Sequence, residues 1–231
     1  YLPQSTLVLM FVVMIVVLMI RPYGIFGRAE VAGEHGQVGE PERPIKPAGK
    51  KMRLAVVIGL AALGLVPLVG SDFAVVLLTD ILIFCLFAGS LHFLLGLGGL
   101  VSFGHAAFFG GGAYAAALMV TYADAPMELA LLLAPLGAGM AAVIMGWVCL
   151  RLTGVYFAML TRAFAQLLWS LVFQWGEFTG GDDGLVGIWP SEWASGSLPM
   201  FYLTLVICVG GILLMRHVAH APFGYALRAA R

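Results

Sequence analysis

The feature that most constrains this chain is a succession of long apolar runs in which charged residues are almost absent. They fall at about Ser5–Ile20, Leu54–Val69, Phe73–Leu95, Gly104–Val120, Glu128–Leu150, Gly154–Trp175 and Pro199–Met215. Their lengths suit helices crossing a hydrocarbon layer about 30 Å thick, not strands. Inside lipid a backbone must satisfy its own hydrogen bonds, so such runs are helical unless protein shields them. The fold class expected is therefore all-α, a polytopic transmembrane helical bundle of about seven spans.

Composition excludes the competing classes. Hydrophobic residues make up 61% of the 231, charged residues 10%, and the mean hydropathy is +1.01. A soluble domain carries about 25% charged residues, so this chain lacks the polar side chains to cover a water-exposed globule. Twelve basic against twelve acidic residues leave no cationic excess for nucleic acid. Cys85, Cys149 and Cys208 each lie in an apolar run, without the spacing of a metal or redox site, and read as small packing residues. No metal site, cofactor or catalytic group is expected.

Charge placement tests the span assignment independently. If the segment after Ile20 is cytoplasmic, alternation puts Arg21, Arg28, Arg43, Lys46, Lys50, Lys51, Arg53, Arg151, Arg216, Arg228 and Arg231 on that side. The opposite side receives Asp72, Asp124, Glu177, Asp182, Asp183 and Glu192, and no Lys or Arg. This is the asymmetry that the positive-inside rule demands. The first run is not a signal peptide, because Arg21 follows it and no basic residue precedes it.

Residues 21–52 break the pattern, with four prolines, six glycines and ten charged residues. They read as a flexible cytoplasmic linker. The expected organisation is one helix over 1–20, the linker over 21–52, and a six-span block over 53–231.

Several motifs carry functional possibilities. Gly96–Ala117 is dense in small residues, which permit close helix packing or a broken helix on a transport path. It lacks the flanking elements of a nucleotide loop. His92 and His105 have no partner at metal-ligand spacing. Asp80 and Arg162 are the ionisable residues within spans. Counting about 1.5 Å per residue puts them roughly 10 Å and 14 Å from opposite surfaces, within reach of each other. An unpaired central Arg costs at least about 2.5–3.5 kcal/mol, so Arg162 is expected to face the bundle interior and pair with Asp80 or Gln166. In the outer loop, Thr179, Gly180, Gly181, Asp182 and Asp183 suit local capping, a calcium site or an external docking surface. Trp175, Trp189 and Trp193 suit an interfacial belt. The tail from Pro222 is short, amphipathic and basic, suited to anionic lipid or to a cytoplasmic partner.

Together these strings resemble one family. Gly99-Leu-Val-Ser-Phe-Gly-His-Ala-Ala-Phe-Phe, followed by Gly112-Ala-Tyr, resembles the signature of LivM-type permeases, membrane subunits of branched-chain amino acid ABC importers. Gly154-Val-Tyr-Phe-Ala-Met-Leu-Thr with Ala163-Phe-Ala-Gln166, then Thr179-Gly-Gly-Asp-Asp-Gly-Leu, then Pro222-Phe-Gly-Tyr-Ala-Leu-Arg-Ala-Ala-Arg, resemble later motifs in the same order. Arg162 departs from the family, which usually has an apolar residue there. Arg21-Pro-Tyr-Gly-Ile-Phe-Gly-Arg resembles the end of a LivH-type permease, the usual heteromeric partner. The resemblance implies an internal piece of a fused two-permease chain in a bacterial inner membrane.

As partners it implies cytoplasmic ABC ATPase subunits, a periplasmic amino-acid-binding protein, a LivH-like unit and the lipid bilayer. It implies an importer of branched-chain amino acids that is not itself an enzyme, with Ser102, Phe103 and His105 near the substrate path. Gly224, Leu227, Arg228 and Arg231 would couple to the ATPase. Urea and short-chain amide permeases share much of the pattern. A proton-coupled secondary carrier built on Asp80, His105 and Arg162 is the main rival.

Overall fold

The computed structural model describes residues 2–21, 49–152 and 154–229. Most of the expected linker, Thr153 and Arg231 lie outside the described residues. Among them the regular structure is entirely helical: α1 (Leu2–Ile20), α2 (Lys50–Val69), α3 (Asp72–Gly98), α4 (His105–Ala123), α5 (Met127–Cys149), α6 (Gly154–Gln174), α7 (Gly176–Thr179), α8 (Ser197–His220) and α9 (Pro222–Ala229), with a 3₁₀ turn at Glu192–Ala194. Six of these, α2 to α6 and α8, contain segments long and apolar enough to cross a membrane, and α1 adds a shorter apolar stretch, Val8–Ile20.

Punctuation in the sequence sets the helix ends. Ser71 Oγ accepts the Ala74 N–H (3.4 Å) at the start of α3, where Asp72 also complements the helix dipole. Gly99, at φ +63°, turns the chain after α3. Asp124 takes the left-handed conformation (φ 49°) after α4, and Pro126 precedes α5. Past α5, Arg151 lies over the Trp147 ring, 4.6 Å from its centroid.

The chain divides into two compact units, Tyr1–Arg28 with Leu91–Glu192, and Ala29–Ser90 with Trp193–Arg231. In the first unit Ile15 and Leu18 of α1 share a buried core with Cys149, Leu152, Phe157, Leu160 and Ala163. α1 thus packs directly on α6. Small residues join α4 to α5: a Cβ on Gly112 would meet Ala138 Cβ at 3.7 Å, and one on Gly137 would meet Ala115 Cβ at 3.3 Å.

In the second unit Val75 and Leu82 of α3 pack with Phe201 and Cys208 of α8, flanked by Leu63 of α2. Polar threads reinforce these contacts. Tyr202 Oη donates to the Gly64 carbonyl (3.0 Å), Ser197 Oγ donates to Asp72 Oδ1 (3.2 Å), and the Cys208 thiol faces the Leu82 carbonyl (3.5 Å). Cys149 and Cys208 are packing residues, whereas Cys85 lies on an exposed face.

Large apolar side chains cover the outer faces of both units. Leu54, Val57, Ile58, Leu65 and Leu68 of α2 are all exposed, as are Leu132, Leu136, Val143 and Ile144 of α5. Faces of that kind are stable against hydrocarbon and not against water. This is a multi-pass membrane protein.

Candidate functional site

The short connection before α4 is fastened to α6 by its backbone. Phe103 N–H donates to Thr161 Oγ1 (3.2 Å), whose own proton goes to the Ala158 carbonyl (2.9 Å). A Cβ on Gly104 would lie 2.4 Å from the Thr161 carbonyl oxygen, so only glycine allows this approach. Ser102 is buried in the connection, while the Phe103 side chain is 63% exposed. His105 opens α4 and meets the Phe108 ring edge-on at 6.5 Å.

Beyond this joint α4 and α6 enclose a cleft of roughly 540 Å³ within the first unit. From α4 come Ala106, Ala107, Gly110, Gly111 and Tyr114, spaced along one helix face. From α6 come Ala165, Gln166, Leu168, Trp169, Val172 and Phe173, the wall of larger side chains. Trp169 and Phe173 stack with centroids 5.1 Å apart. Gly181 and Asp182, from the loop after α7, complete the lining. Cβ atoms added to Gly110 or Gly111 would meet nothing within 4 Å. These two glycines hold space open, whereas Gly112, the next residue, serves helix packing.

The two readings of the Gly-rich stretch thus divide along one helix. Its break lies between Gly98 and His105, and α4 runs uninterrupted through Gly110, Gly111 and Gly112. The cleft begins at Ala106, so the structure does not bring Ser102, Phe103 or His105 into its lining.

The loop after α6 separates into a structural part and a free part. Thr179 is buried, and its hydroxyl proton is shared between the Val172 carbonyl and that of Trp175 (2.8 Å), closing the end of α6. Gly180 (φ +77°) and Gly181 (φ +58°) need glycine, and a Cβ on Gly180 would sit 2.1 Å from the Gly184 carbonyl oxygen. Tyr122 Oη reaches the carbonyls of Glu177 (3.2 Å) and Phe178 (3.0 Å) and its ring stacks on Phe178, tying the end of α4 to α7. Asp182 and Asp183 are exposed, and of the two only Asp182 lines the cleft.

Among the intramembrane polar residues, Gln166 lines the cleft. Arg162, one turn earlier on the same face of α6, is exposed, and among the described residues it makes no hydrogen bond to Gln166. Asp80 is exposed on the second unit, beside buried Thr79, whose hydroxyl bonds the Val75 carbonyl (2.9 Å). Among the described residues no His, Cys, Asp or Glu group could hold a metal ion.

The tail forms α9. Gly224 is buried where a Cβ would lie 2.5 Å from the Val218 and Ala219 carbonyl oxygens, so α9 is held tightly to the end of α8. Leu227 and Arg228 are half-buried, and Phe223 and Tyr225 are the exposed large side chains. Sequence reasoning missed those two, and it missed the Tyr114, Trp169 and Phe173 wall. No sequence signal marked the wall, because most residues between its members on α6 are equally apolar.

Comparison with known proteins assigns this arrangement. The family of the branched-chain amino acid transport system permease component matches residues 73–231. The chain belongs to that family. The match takes in the cleft, the Thr179 loop and α9. The high-affinity branched-chain amino acid transport system permease proteins LivM of Salmonella typhimurium and Escherichia coli are each 32% identical over 119 residues, 52% of this chain and 28% of the relative. The matched stretch thus spans little more than a quarter of those relatives' length. No solved structure matches. Members of this family are transport permease components, not enzymes.

Proposed function

We propose that this chain is part of the membrane permease of an ATP-driven importer of branched-chain amino acids, and that the α4–α6 cleft lies on the cargo's route. The observation that carries the reading is the cleft itself: two glycines keep it open, aromatic and aliphatic side chains wall it, and it lies inside the family-matched region. An apolar wall with a few polar groups suits a small hydrophobic cargo. The acidic loop end faces the periplasm in this reading, where a binding protein delivers the amino acid. Ser102, Phe103 and His105 act on the route from the joint below the cleft. Arg162, on the same helix face as Gln166 and nearer the cytoplasmic end, meets the cargo in the assembled transporter.

The tail supports separate cytoplasmic ATPase subunits as partners. Phe223 and Tyr225 expose aromatic side chains on α9, half-buried Leu227 lies one turn on from Phe223 with Arg228 beside it, and Gly224 makes the junction to α8 tight enough to pass on a displacement. Arg231, outside the described residues, would extend the basic edge. Alternating access then requires only that ATP and cargo bind the two states differently. We also propose a bacterial inner-membrane location and a LivH-like unit upstream in the same polypeptide. In that case the seat of α1 on α6 joins two permease units.

The test is purification of the full-length protein from membranes, then uptake in proteoliposomes. Expected are a co-purifying ATPase, its loss with Phe223→Ala plus Tyr225→Ala, and uptake that needs ATP and survives collapse of the proton gradient. Uptake without an ATPase, driven by the gradient, would overturn the reading in favour of a secondary carrier.

A further inference from the structure

The cleft is chemically uneven along its length. Near the C-terminal end of α6 it carries one carboxylate, Asp182. The carbonyl groups at that end of α6 add partial negative charge. The stacked Trp169 and Phe173 rings lie on the same wall and offer π faces. Residues 176–198 contain no Lys or Arg to neutralise Asp182. Deeper along α6 the lining holds Gln166, and from α4 come Tyr114 and the open positions Gly110 and Gly111.

A carboxylate beside aromatic faces is an environment that attracts an ammonium group. We propose that Asp182, with Trp169 and Phe173, forms an ammonium-recognition station at the loop end of the cleft and is a specificity-determining residue for the cargo. This deepens the reading of the cleft as the cargo's route and rests on it. The cargo's α-ammonium is held at Asp182, and its apolar side chain extends over Val172 and Phe173 toward the space kept by Gly110 and Gly111. The neighbouring Asp183 does not line the cleft and takes no part. An uncharged cargo such as urea or a short amide has no cation to place there, so the station selects against it.

The experiment uses the full-length permease complex in nanodiscs, without binding protein, and radiolabelled leucine at millimolar concentration. Competitors are leucinol, which keeps the ammonium and lacks the carboxylate, and isocaproate, which keeps a carboxylate and lacks the ammonium. Leucinol is expected to displace leucine and isocaproate is not. Asp182→Asn is expected to weaken leucine and leucinol roughly 10- to 100-fold, as loss of a charge-assisted hydrogen bond would, and Asp182→Glu to restore part of the loss. Gly111→Leu, whose side chain enters open space, is expected to abolish binding. Wild-type behaviour of Asp182→Asn while Gly111→Leu fails to bind overturns the ammonium station alone. Wild-type binding by Gly111→Leu, or no leucine binding by the wild type, overturns the cleft as cargo site and the station with it. Equal displacement by isocaproate and leucinol also overturns the station.

Discussion

Two faces of α4 differ in what their glycines do. Toward α5, a Cβ added at Gly112 would reach Ala138 Cβ at 3.7 Å and one added at Gly137 would reach Ala115 Cβ at 3.3 Å, so small residues there bring two helices together. Toward α6, a Cβ added at Gly110 or Gly111 would meet nothing within 4 Å, so these positions leave the space between two helices unfilled. Glycine is used for contact on one face and for volume on the other. In lipid, where no hydrophobic force pulls helices together, close packing is a main source of association. A helix face that declines that packing gives up stability, and a route for cargo is the return that this account assigns to it.

Substitutions separate the two faces. The largest effect is expected where α4 is anchored: Gly104→Ala puts a Cβ against the Thr161 carbonyl and should destabilise the first unit by on the order of 3 kcal/mol. Yield and thermal stability of the full-length protein in detergent would show it. Next comes a matched pair. Gly137→Leu drives a side chain into Ala115 and should cost about 1–3 kcal/mol. Gly110→Leu should leave the melting temperature near wild type and stop uptake. If both variants lose stability equally, the two faces are not different in kind. A smaller effect is expected at Thr161→Val, which strips the part-buried Phe103 N–H of its partner at a cost of about 1 kcal/mol, with Thr161→Ser recovering most of it.

How much of this was legible in the sequence depends on the solvent each element meets. Helix positions were read well because lipid excludes charge: the expected run Gly154–Trp175 is α6 to within a residue, and Phe73–Leu95 lies inside α3. Helix faces were not legible. A span facing lipid on one side and protein on the other is apolar all round, so the 3.6-residue period that marks a buried face in water is missing. That is why the Trp169–Phe173 wall and the opposed roles of Gly110 and Gly112 needed the structure. The same limit applies to Asp80 and Arg162. Counting rise along a helix yields depth but not azimuth, and Thr79 is buried while Asp80, one residue on, is exposed. By contrast α9 was legible as amphipathic from its sequence alone. In the outer loop, residue types suggested capping for Thr179, Asp182 and Asp183 alike. The structure gives that role to Thr179 and leaves Asp182 at the cleft, because Thr179 alone reaches the carbonyls of Val172 and Trp175.

The claim that the open face of α4 is where cargo passes is tested most directly by a cysteine at Gly110 in the full-length transporter. Its rate of modification by a small water-soluble thiol reagent would be followed in proteoliposomes, with and without saturating leucine-loaded binding protein, against the background of the wild-type cysteines. Rapid modification that leucine slows severalfold is expected. Modification at one rate with and without cargo, or by membrane-soluble reagents only, would contradict it.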